Sequence, residues 1–286
     1  MIADLLAASR PLSWVNTAYP FAAAYLLVAR EVDAALLVGA LFFLVPYNLA
    51  MYGVNDVFDY ASDLANPRKG GVEGALLDPR SHRAVLIAAA AACLPFVVVL
   101  VLLGRPASWA VLAASLFAVV AYSAPPFRFK EVPVLDSLTS STHFVSPAVY
   151  GIVLAGGVPD AGAIAVLAAF FLWGAASHAF GAVQDVVPDR EAGIASIATV
   201  LGAARTVRLA LAAWIAAGLL MLATGLPGAW AALLALPYLA AALPYARVSD
   251  AESARANRGW RRFLWINYVS GFVVTMILIV FAAGTA

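Results

Sequence analysis

The 286-residue sequence has a single cysteine, Cys93, and only three histidines. One cysteine excludes an intrachain disulfide framework and a zinc site built on cysteines. Charge is also scarce, because 12% of the residues are Asp, Glu, Lys or Arg, against roughly 25% in an average soluble domain. Seventeen basic and sixteen acidic residues give a net charge of +1, so the sequence lacks the basic excess of a nucleic-acid-binding protein.

Apolar residues are abundant instead. They make up 64% of the chain, and the mean hydropathy is +0.92. A chain with this many apolar residues has ample apolar surface to bury, which excludes intrinsic disorder. The composition indicates a polytopic membrane protein. A helix needs about 20 apolar residues to cross a bilayer. The stretches that meet this requirement are 13–29, 34–54, 84–103, 107–123, 138–156, 162–181, 206–224, 228–245 and 263–283.

The positions of Lys and Arg predict how these nine spans are oriented. If the N-terminus is cytoplasmic, fifteen basic residues lie in inner segments, and only Arg30 and Arg105 lie in outer ones. Basic residues concentrate in cytoplasmic loops of membrane proteins. We therefore expect an all-α membrane protein with nine transmembrane helices, a cytoplasmic N-terminus and all of its long loops on the cytoplasmic side.

Three aspartates follow the second predicted span. They lie in the segment Asn55-Asp56-Val57-Phe58-Asp59-Tyr60-Ala61-Ser62-Asp63. If the helix continues, Asp56, Asp59 and Asp63 share one face, because they are spaced i, i+3 and i+7. Three carboxylates stacked in this way repel each other unless a cation lies among them. A single aspartate at a helix end is usually a solvated cap, but a triple on one face indicates a site.

A related segment ends the sixth predicted span and reads Gln184-Asp185-Val186-Val187-Pro188-Asp189-Arg190. Val-Asn-Asp-Val in the first segment matches Val-Gln-Asp-Val here, with Asp185 standing 129 residues after Asp56. Four spans separate the segments, and an even number returns the chain to the same side of the membrane. Both acidic segments are thus predicted to face the cytoplasm, where they can converge.

Together these residues form an all-oxygen set of ligands, which suits a hard divalent cation. Mg²⁺ typically uses one or two carboxylates together with substrate phosphates, and Mn²⁺ is an alternative. Arg and Lys near such carboxylates suit a diphosphate, although positive-inside topology also explains them. The candidate catalytic acids are Asp56, Asp59, Asp63, Asp185 and Asp189, which with Asn55 are the candidate metal ligands. The candidate diphosphate-binding residues are Asn55, Arg68, Lys69, Arg128, Lys130, Gln184 and Arg190.

At these residues the sequence resembles the UbiA superfamily of intramembrane prenyltransferases. Residues 55–63 fit the NDxxDxxxD motif of that family at every fixed position, and residues 185–189 fit its second motif, DxxxD. Within the superfamily the chain is similar to the actinobacterial lycopene elongases of C50 carotenoid synthesis. This resemblance runs through residues 9–20, 66–74, 122–125, 129–131, 138–144 and 256–258.

The resemblance implies one domain over residues 1–286, whose helices surround a central, lipid-accessible cavity in a bacterial cytoplasmic membrane. It implies Mg²⁺-assisted transfer of a dimethylallyl group from its diphosphate to lycopene or another lipophilic acceptor, next to membrane lipid and in association with a carotenoid cyclase. His143 or His178 would remove the final proton, or serve as a structural histidine. The aromatic side chains expected to shield a carbocation in the cavity are Phe58, Tyr60, Tyr122, Phe144 and Trp173.

Two other functions are compatible with the sequence. A prenyltransferase of the same fold can act on an aromatic acceptor. However, quinone-type members carry a second Arg after the position of Arg68, where this chain has Lys69-Gly70-Gly71. A cation-coupled transporter also places carboxylates in a membrane, but the acids here lie at helix ends and not near the midplane.

Overall fold

The computed structural model describes residues 2–60, 64 and 76–284, and in these residues every regular element is a helix. The predicted all-α class is thus confirmed. Short 3₁₀ helices, such as Pro11–Ser13 and Asp250–Ala256, connect several of the α-helices. The α-helices in this part of the chain are α1 (Ile2–Ser9), α2 (Val15–Ala29), α3 (Ala34–Leu44), α4 (Pro46–Phe58), α5 (His82–Leu103), α6 (Pro106–Ser123), α7 (Leu135–Leu154), α8 (Ala161–Val183), α9 (Val186–Glu191), α10 (Ile197–Leu201), α11 (Ala203–Leu222), α12 (Ala235–Ala242) and α13 (Asn257–Gly284).

Seven helical stretches in the described residues are long and apolar enough to cross a membrane, which agrees with the predicted multi-pass membrane protein. The other two predicted spans, 13–29 and 138–156, coincide with α2, of 15 residues, and α7, of 20 residues. The count of nine spans and the cytoplasmic N-terminus therefore stay predictions. The seven stretches are Ala34–Phe58, Pro79–Leu103, Pro106–Ser123, Ala161–Val183, Ala203–Leu222, Gly228–Tyr245 and Asp250–Gly284.

Helix boundaries follow local sequence signals. The Asp33 side chain caps α3 by accepting the Leu36 N–H at 2.9 Å, and it also accepts the Tyr25 hydroxyl at 2.7 Å. These hydrogen bonds hold the pKa of the Asp33 carboxyl below its usual value. Asp160 caps α8 in the same way. Pro46 has no N–H to continue the preceding helix, so the stretch 34–58 is divided into α3 and α4.

The first of two compact units comprises Met1–Phe129 and Thr142–Val158. Its core is a cluster of buried aromatic rings, in which neighbouring centroids of Phe21, Phe43, Tyr47 and Tyr150 lie 5.0 to 5.9 Å apart. At Gly151 helix α7 passes so close to α2 that a Cβ would lie 2.5 Å from the Phe21 carbonyl oxygen. Only glycine permits this approach.

The second unit comprises Lys130–Ser141 and Pro159–Ala286, so α7 contributes residues to both units. Its core contains Phe180, Trp214, Tyr238 and Phe263, whose neighbouring ring centroids are 5.4 to 6.4 Å apart. Each unit has a core of its own. The single domain that the resemblance implies stays a prediction.

Candidate active site

The first acidic motif lies at the carboxyl end of α4. Asp56 is in the last turn of the helix, and Asp59 is its C-cap, with its N–H donating to the Asn55 carbonyl oxygen at 2.9 Å. Both carboxylates are buried, with relative exposures of 1% for Asp56 and 5% for Asp59. Buried carboxylates require compensation by hydrogen bonds or opposite charge, so the neighbours of these two residues define the site.

Arg10 provides that compensation for Asp56. Its Nη2 lies 2.7 Å from Asp56 Oδ1, and its guanidinium stacks 4.2 Å from the centre of the Tyr52 ring. Arg10 itself has a positive φ of 49° between α1 and the 3₁₀ helix Pro11–Ser13. From the sequence, Arg10 counts only among the fifteen basic residues of the predicted inner segments, and its pairing with Asp56 was not predicted. The sequence signal available for it is that Arg10 lies in the segment 9–20, which resembles the lycopene elongases.

Asn55 holds the second buried carboxylate. Its Nδ2 donates to Asp59 Oδ2 through a short hydrogen bond and to Ser123 Oγ at 3.0 Å. Ser123 is the last residue of α6, so this amide connects the ends of two helices. The side chain of Asn55 thereby orients Asp59, as an outer partner orients a metal ligand.

Among the predicted diphosphate-binding cations, Arg128 lies beside the first motif. Its Nη1 donates to the Phe58 carbonyl oxygen at 3.5 Å, at the carboxyl end of α4. A cation at this end of a helix interacts favourably with the helix dipole. Lys130 is half-buried and belongs to the second unit. Asp63, Arg68 and Lys69 lie outside the described residues.

The second acidic motif lies between α8 and α9. Asp185 precedes α9, and its carbonyl oxygen accepts the Asp189 N–H at 2.9 Å. Both carboxylates are half-buried, whereas Gln184 is buried and accepts a hydrogen bond from Asn257 Nδ2. Asn257, the first residue of α13, was not predicted as a site residue, although it lies in the segment 256–258 that carries the resemblance.

Arg190 has partners that the sequence did not predict. Its Nη1 forms an ion pair with Asp250 Oδ2 at 2.7 Å, and its Nε and Nη2 donate to the Thr199 carbonyl oxygen at 3.0 and 2.6 Å. Asp250 also accepts the Ala203 N–H at 2.7 Å. These hydrogen bonds connect α9 to α10, which contains Thr199, and to the starts of α11 and of the 3₁₀ helix Asp250–Ala256. A role of Arg190 in diphosphate binding stays a prediction.

The two motifs belong to different compact units, the first to Met1–Phe129 and the second to Pro159–Ala286. Their convergence on one site therefore stays a prediction. Within the described part of the chain, no group of three or more His, Cys, Asp or Glu residues is placed to share one metal ion. The donors do fit a hard divalent cation in chemistry, because carboxylate and amide oxygens are the ligands that Mg²⁺ prefers.

The five aromatic residues predicted to line a cavity divide between the units. Tyr60 lies edge-on to His82 with centroids 5.1 Å apart, and Tyr122 lies edge-on to His143 at 5.2 Å. Phe58 is half-buried, and Phe144 packs against the core of the first unit. Trp173 belongs to the core of the second unit, where it contacts Phe170, Tyr238 and Phe263.

Two histidines were predicted as candidates for the final proton acceptor. His143 is buried on α7, and its carbonyl oxygen accepts the Tyr47 hydroxyl at 3.4 Å. His178 Nδ1 lies 3.1 Å from Ser137 Oγ. Asp136, the residue before Ser137, is completely buried and was not predicted as a site residue. Its carboxylate accepts the N–H groups of Ser137 and Ile197 at 2.7 and 2.8 Å, which ties the start of α7 to α10.

Comparison with known proteins identifies relatives of this chain. Residues 17–268 match the model of the UbiA prenyltransferase family. The chain is 56% identical over 280 residues to the "C(50) beta-cyclic carotenoids biosynthesis protein LbtBC" of Dietzia sp. (strain CQ4), covering 98% of this chain and 65% of that protein. It is 52% identical over 277 residues to the "Lycopene elongase/hydratase" of Corynebacterium glutamicum, covering 96% of each.

Solved structures show the same fold. A UbiA homolog from Archaeoglobus fulgidus, bound to DMAPP and Mg²⁺, aligns with a TM-score of 0.67 at 18% identity and covers 93% of this chain and 98% of that one. A UbiA homolog from Aeropyrum pernix K1 in the apo form aligns with a TM-score of 0.65 at 23% identity, covering 92% and 98% of the two chains.

Proposed function

Because the chain belongs to the UbiA prenyltransferase family, we propose that it transfers a dimethylallyl group from dimethylallyl diphosphate to lycopene, giving C45 and then C50 carotenoids. The names of two relatives, a C50 carotenoid biosynthesis protein and a lycopene elongase/hydratase, support this acceptor. The observation on this chain that carries the proposal is the arrangement of buried aspartates at the end of α4. There Asp56 and Asp59 are buried at the end of an apolar helix and held by Arg10 and Asn55.

The donor binds, in this proposal, with its diphosphate toward the two acidic motifs. Asp56 and Asp59 of the first motif and Asp185 and Asp189 of the second would hold Mg²⁺, with Asp63 and the amide oxygen of Asn55 as further ligands. When bound, the ion neutralises charge on the leaving diphosphate. Arg128, Arg68, Lys69 and Lys130 would bind diphosphate oxygens directly, as basic residues do in other phosphate sites.

Positioning of the carboxylates comes from this chain's own hydrogen bonds. Arg10 fixes Asp56 and offsets its charge, while Asn55 fixes Asp59. Carboxylates held in place before the substrate arrives lose little entropy on binding and need little reorganisation during the reaction. We therefore assign Arg10 and Asn55 as positioning residues, with Asn55 also a candidate ligand.

The reaction breaks the C1–O bond of dimethylallyl diphosphate, and the electron pair leaves with the diphosphate. The terminal double bond of lycopene attacks C1, which forms the new C–C bond and moves the positive charge onto the acceptor. Loss of a proton then restores a double bond, or addition of water gives an alcohol and releases a proton. Phe58, Tyr60, Tyr122, Phe144 and Trp173 would shield the cationic species from water.

Lycopene has no appreciable solubility in water, so we propose that it enters sideways from the bilayer into a central cavity. The donor reaches the acidic motifs from the cytoplasm, where metal and diphosphate are available. We propose with it nine spans and a cytoplasmic N-terminus in a bacterial cytoplasmic membrane, which puts both acidic motifs on the cytoplasmic side. Association with a carotenoid cyclase is also proposed, since the name of the longer Dietzia relative refers to cyclic carotenoids.

The test is a defined reaction. Purified protein in lycopene-loaded liposomes, given dimethylallyl diphosphate and Mg²⁺, should yield a C45 product and then a C50 product, separated by liquid chromatography and identified by mass. The same liposomes with 4-hydroxybenzoate or a naphthoate in place of lycopene should give no prenylated product. Prenylation of the aromatic acid with lycopene left untouched would keep the fold and activity class and overturn the acceptor.

A further inference from the structure

Five arginines surround two adjoining surface depressions in the second unit. They lie within residues 247–262, on the 3₁₀ helix Asp250–Ala256, just before it, and on the first turns of α13. The depressions have volumes of about 250 and 440 Å³, are open to the surface, and share two lining residues, Arg255 and Arg258. We call this surface the arginine patch; its members are Arg247, Arg255, Arg258, Arg261 and Arg262.

The arginine patch carries excess positive charge. Its segment contains two acidic residues, and both are engaged: Asp250 pairs with Arg190 at 2.7 Å and Glu252 pairs with Arg255 at 2.9 Å. Within the part of the chain that the structure describes, the other four arginines of the patch have no carboxylate at ion-pair distance. Four guanidinium groups around the two adjoining depressions are therefore available for an anionic ligand.

The order of exposed side chains along α13 is the one expected where a helix passes from lipid headgroups into the bilayer. Arg258, Arg261 and Arg262 are exposed in the first two turns, and Trp265 and Tyr268 follow with exposures of 76% and 55%. Exposed apolar residues continue from there, among them Val269, Phe272, Ile279 and Val280. Arginines, then tryptophan and tyrosine, then aliphatic residues on one helix surface match the order of headgroups, interface and hydrocarbon in a bilayer.

We infer that the arginine patch binds the phosphate headgroup of an anionic phospholipid. Guanidinium groups bind phosphate oxygens in bidentate geometry and interact with anionic leaflets by charge as well. A lipid is favoured over a soluble phosphate because the patch continues directly into the exposed apolar surface of α13, where acyl chains can pack. Asn257, which lines the second depression, donates to Gln184 beside the second acidic motif, but within the described residues no aspartate of either motif lines the depressions.

Native mass spectrometry of the purified full-length protein tests this inference. Phosphatidylglycerol and phosphatidylcholine of equal chain length are titrated into wild type, into R258Q/R262Q and into R205Q/R208Q. The last variant is the matched control, because Arg205 and Arg208 are also exposed near the start of a helix, α11, and their loss changes the net charge equally. Each basic residue near an anionic surface contributes about a fivefold factor in binding. Affinity of R258Q/R262Q for phosphatidylglycerol should therefore fall at least about tenfold, with phosphatidylcholine binding unchanged.

Equal loss in both double variants, or none in R258Q/R262Q, would overturn the inference. Inorganic phosphate, added as a competitor in the low millimolar range, should not displace the lipid; full displacement would assign the patch to a soluble phosphate compound. A second measurement needs no variant: wild-type binding of phosphatidylglycerol should weaken markedly between about 0.1 and 1 M salt, because the Debye length falls from about 10 to 3 Å. Binding that is independent of salt would also contradict the proposal.

Discussion

The Arg10 guanidinium forms an ion pair with the buried Asp56 carboxylate at 2.7 Å, 46 positions apart in the chain. The Asp56 side chain has no exposed surface, whereas that of Arg10 is 20% exposed. Breaking a buried pair leaves an uncompensated charge, which is more costly than the pair itself is stabilising. The pair thus connects the segment before α2 to the first acidic motif on α4.

Replacement of Arg10 by glutamine is expected to lower both stability and turnover. Removing one partner of a buried pair costs about 3 kcal/mol, so the thermal midpoint of the purified protein should fall by several degrees. Turnover should fall at least about tenfold, because Asp56 is no longer fixed. Arg83→Gln, at an exposed position on α5, is the control and should leave both quantities near wild type. A wild-type thermal midpoint in Arg10→Gln would show that the pair is not formed in solution.

Asp56→Asn and Asp185→Asn are each expected to reduce prenyl transfer below a tenth of the wild-type rate. Each acidic motif supplies one side of the predicted metal and diphosphate site, and a lost metal ligand removes several kcal/mol of transition-state stabilisation. Asp160→Asn serves as the control, since Asn caps the start of α8 about as well as Asp. Rates are measured in liposomes on protein shown to be monodisperse. Rates above one tenth in both site variants would contradict the assignment.

Asn55→Ala should raise the Mg²⁺ concentration needed for half-maximal activity by about ten to a hundredfold. Asn55 donates to Asp59, and loss of such an outer partner weakens metal binding by that factor. Ser123→Ala removes the other hydrogen bond of the Asn55 amide and should have a smaller effect in the same direction. A metal titration of initial rates distinguishes the two. An unchanged Mg²⁺ requirement in Asn55→Ala would assign Asn55 a purely structural role.

Activity is expected to depend on a divalent cation. Excess EDTA should abolish product formation, Mg²⁺ or Mn²⁺ should restore it, and K⁺ or Na⁺ at equal ionic strength should not. The reason is the all-oxygen chemistry of the candidate donors, which suits hard divalent ions. Full turnover in chelator would mean that the basic residues alone bind and activate the diphosphate.

Long apolar runs made most of the fold predictable from sequence. A run of about 20 apolar residues is long enough to cross a bilayer as a helix, so such runs can be located from the sequence. Seven of the predicted spans coincide with the seven helical stretches of the described residues that are long and apolar enough to cross a membrane. The break at Pro46 was missed, because a proline within an apolar run is compatible with one bent helix as well as with two. The two other predicted spans, at α2 and α7, contain several polar residues. They are also the two that are not among the described helical stretches long and apolar enough to cross a membrane.

The candidate site could be predicted only where its residues lie close to each other in the sequence. The spacing of Asp56 and Asp59 identifies them, since both lie within one turn of the end of α4. The partners of these residues are distant along the chain: Arg10 precedes Asp56 by 46 positions, and Ser123 follows Asn55 by 68. Asp136 was missed for the same reason, because its acceptor role depends on the N–H of Ile197, 61 residues later.

Cysteine accessibility can decide whether α2 and α7 cross the membrane. Cys93 is the only cysteine of the chain, and a Cys93→Ala background therefore permits labelling at chosen sites. Leu12 and Val32 flank α2 with exposures of 66% and 71%, and Val132 and Val158 flank α7 with exposures of 41% and 89%.

The nine-span arrangement predicts that the members of each pair lie on opposite sides of the membrane, with positions 12 and 132 in the cytoplasm. In right-side-out vesicles, a membrane-impermeant maleimide should modify Val32→Cys and Val158→Cys at once, and Leu12→Cys and Val132→Cys only after permeabilisation. If both members of either pair react without permeabilisation, or neither does, that helix does not cross, and the count of nine is wrong.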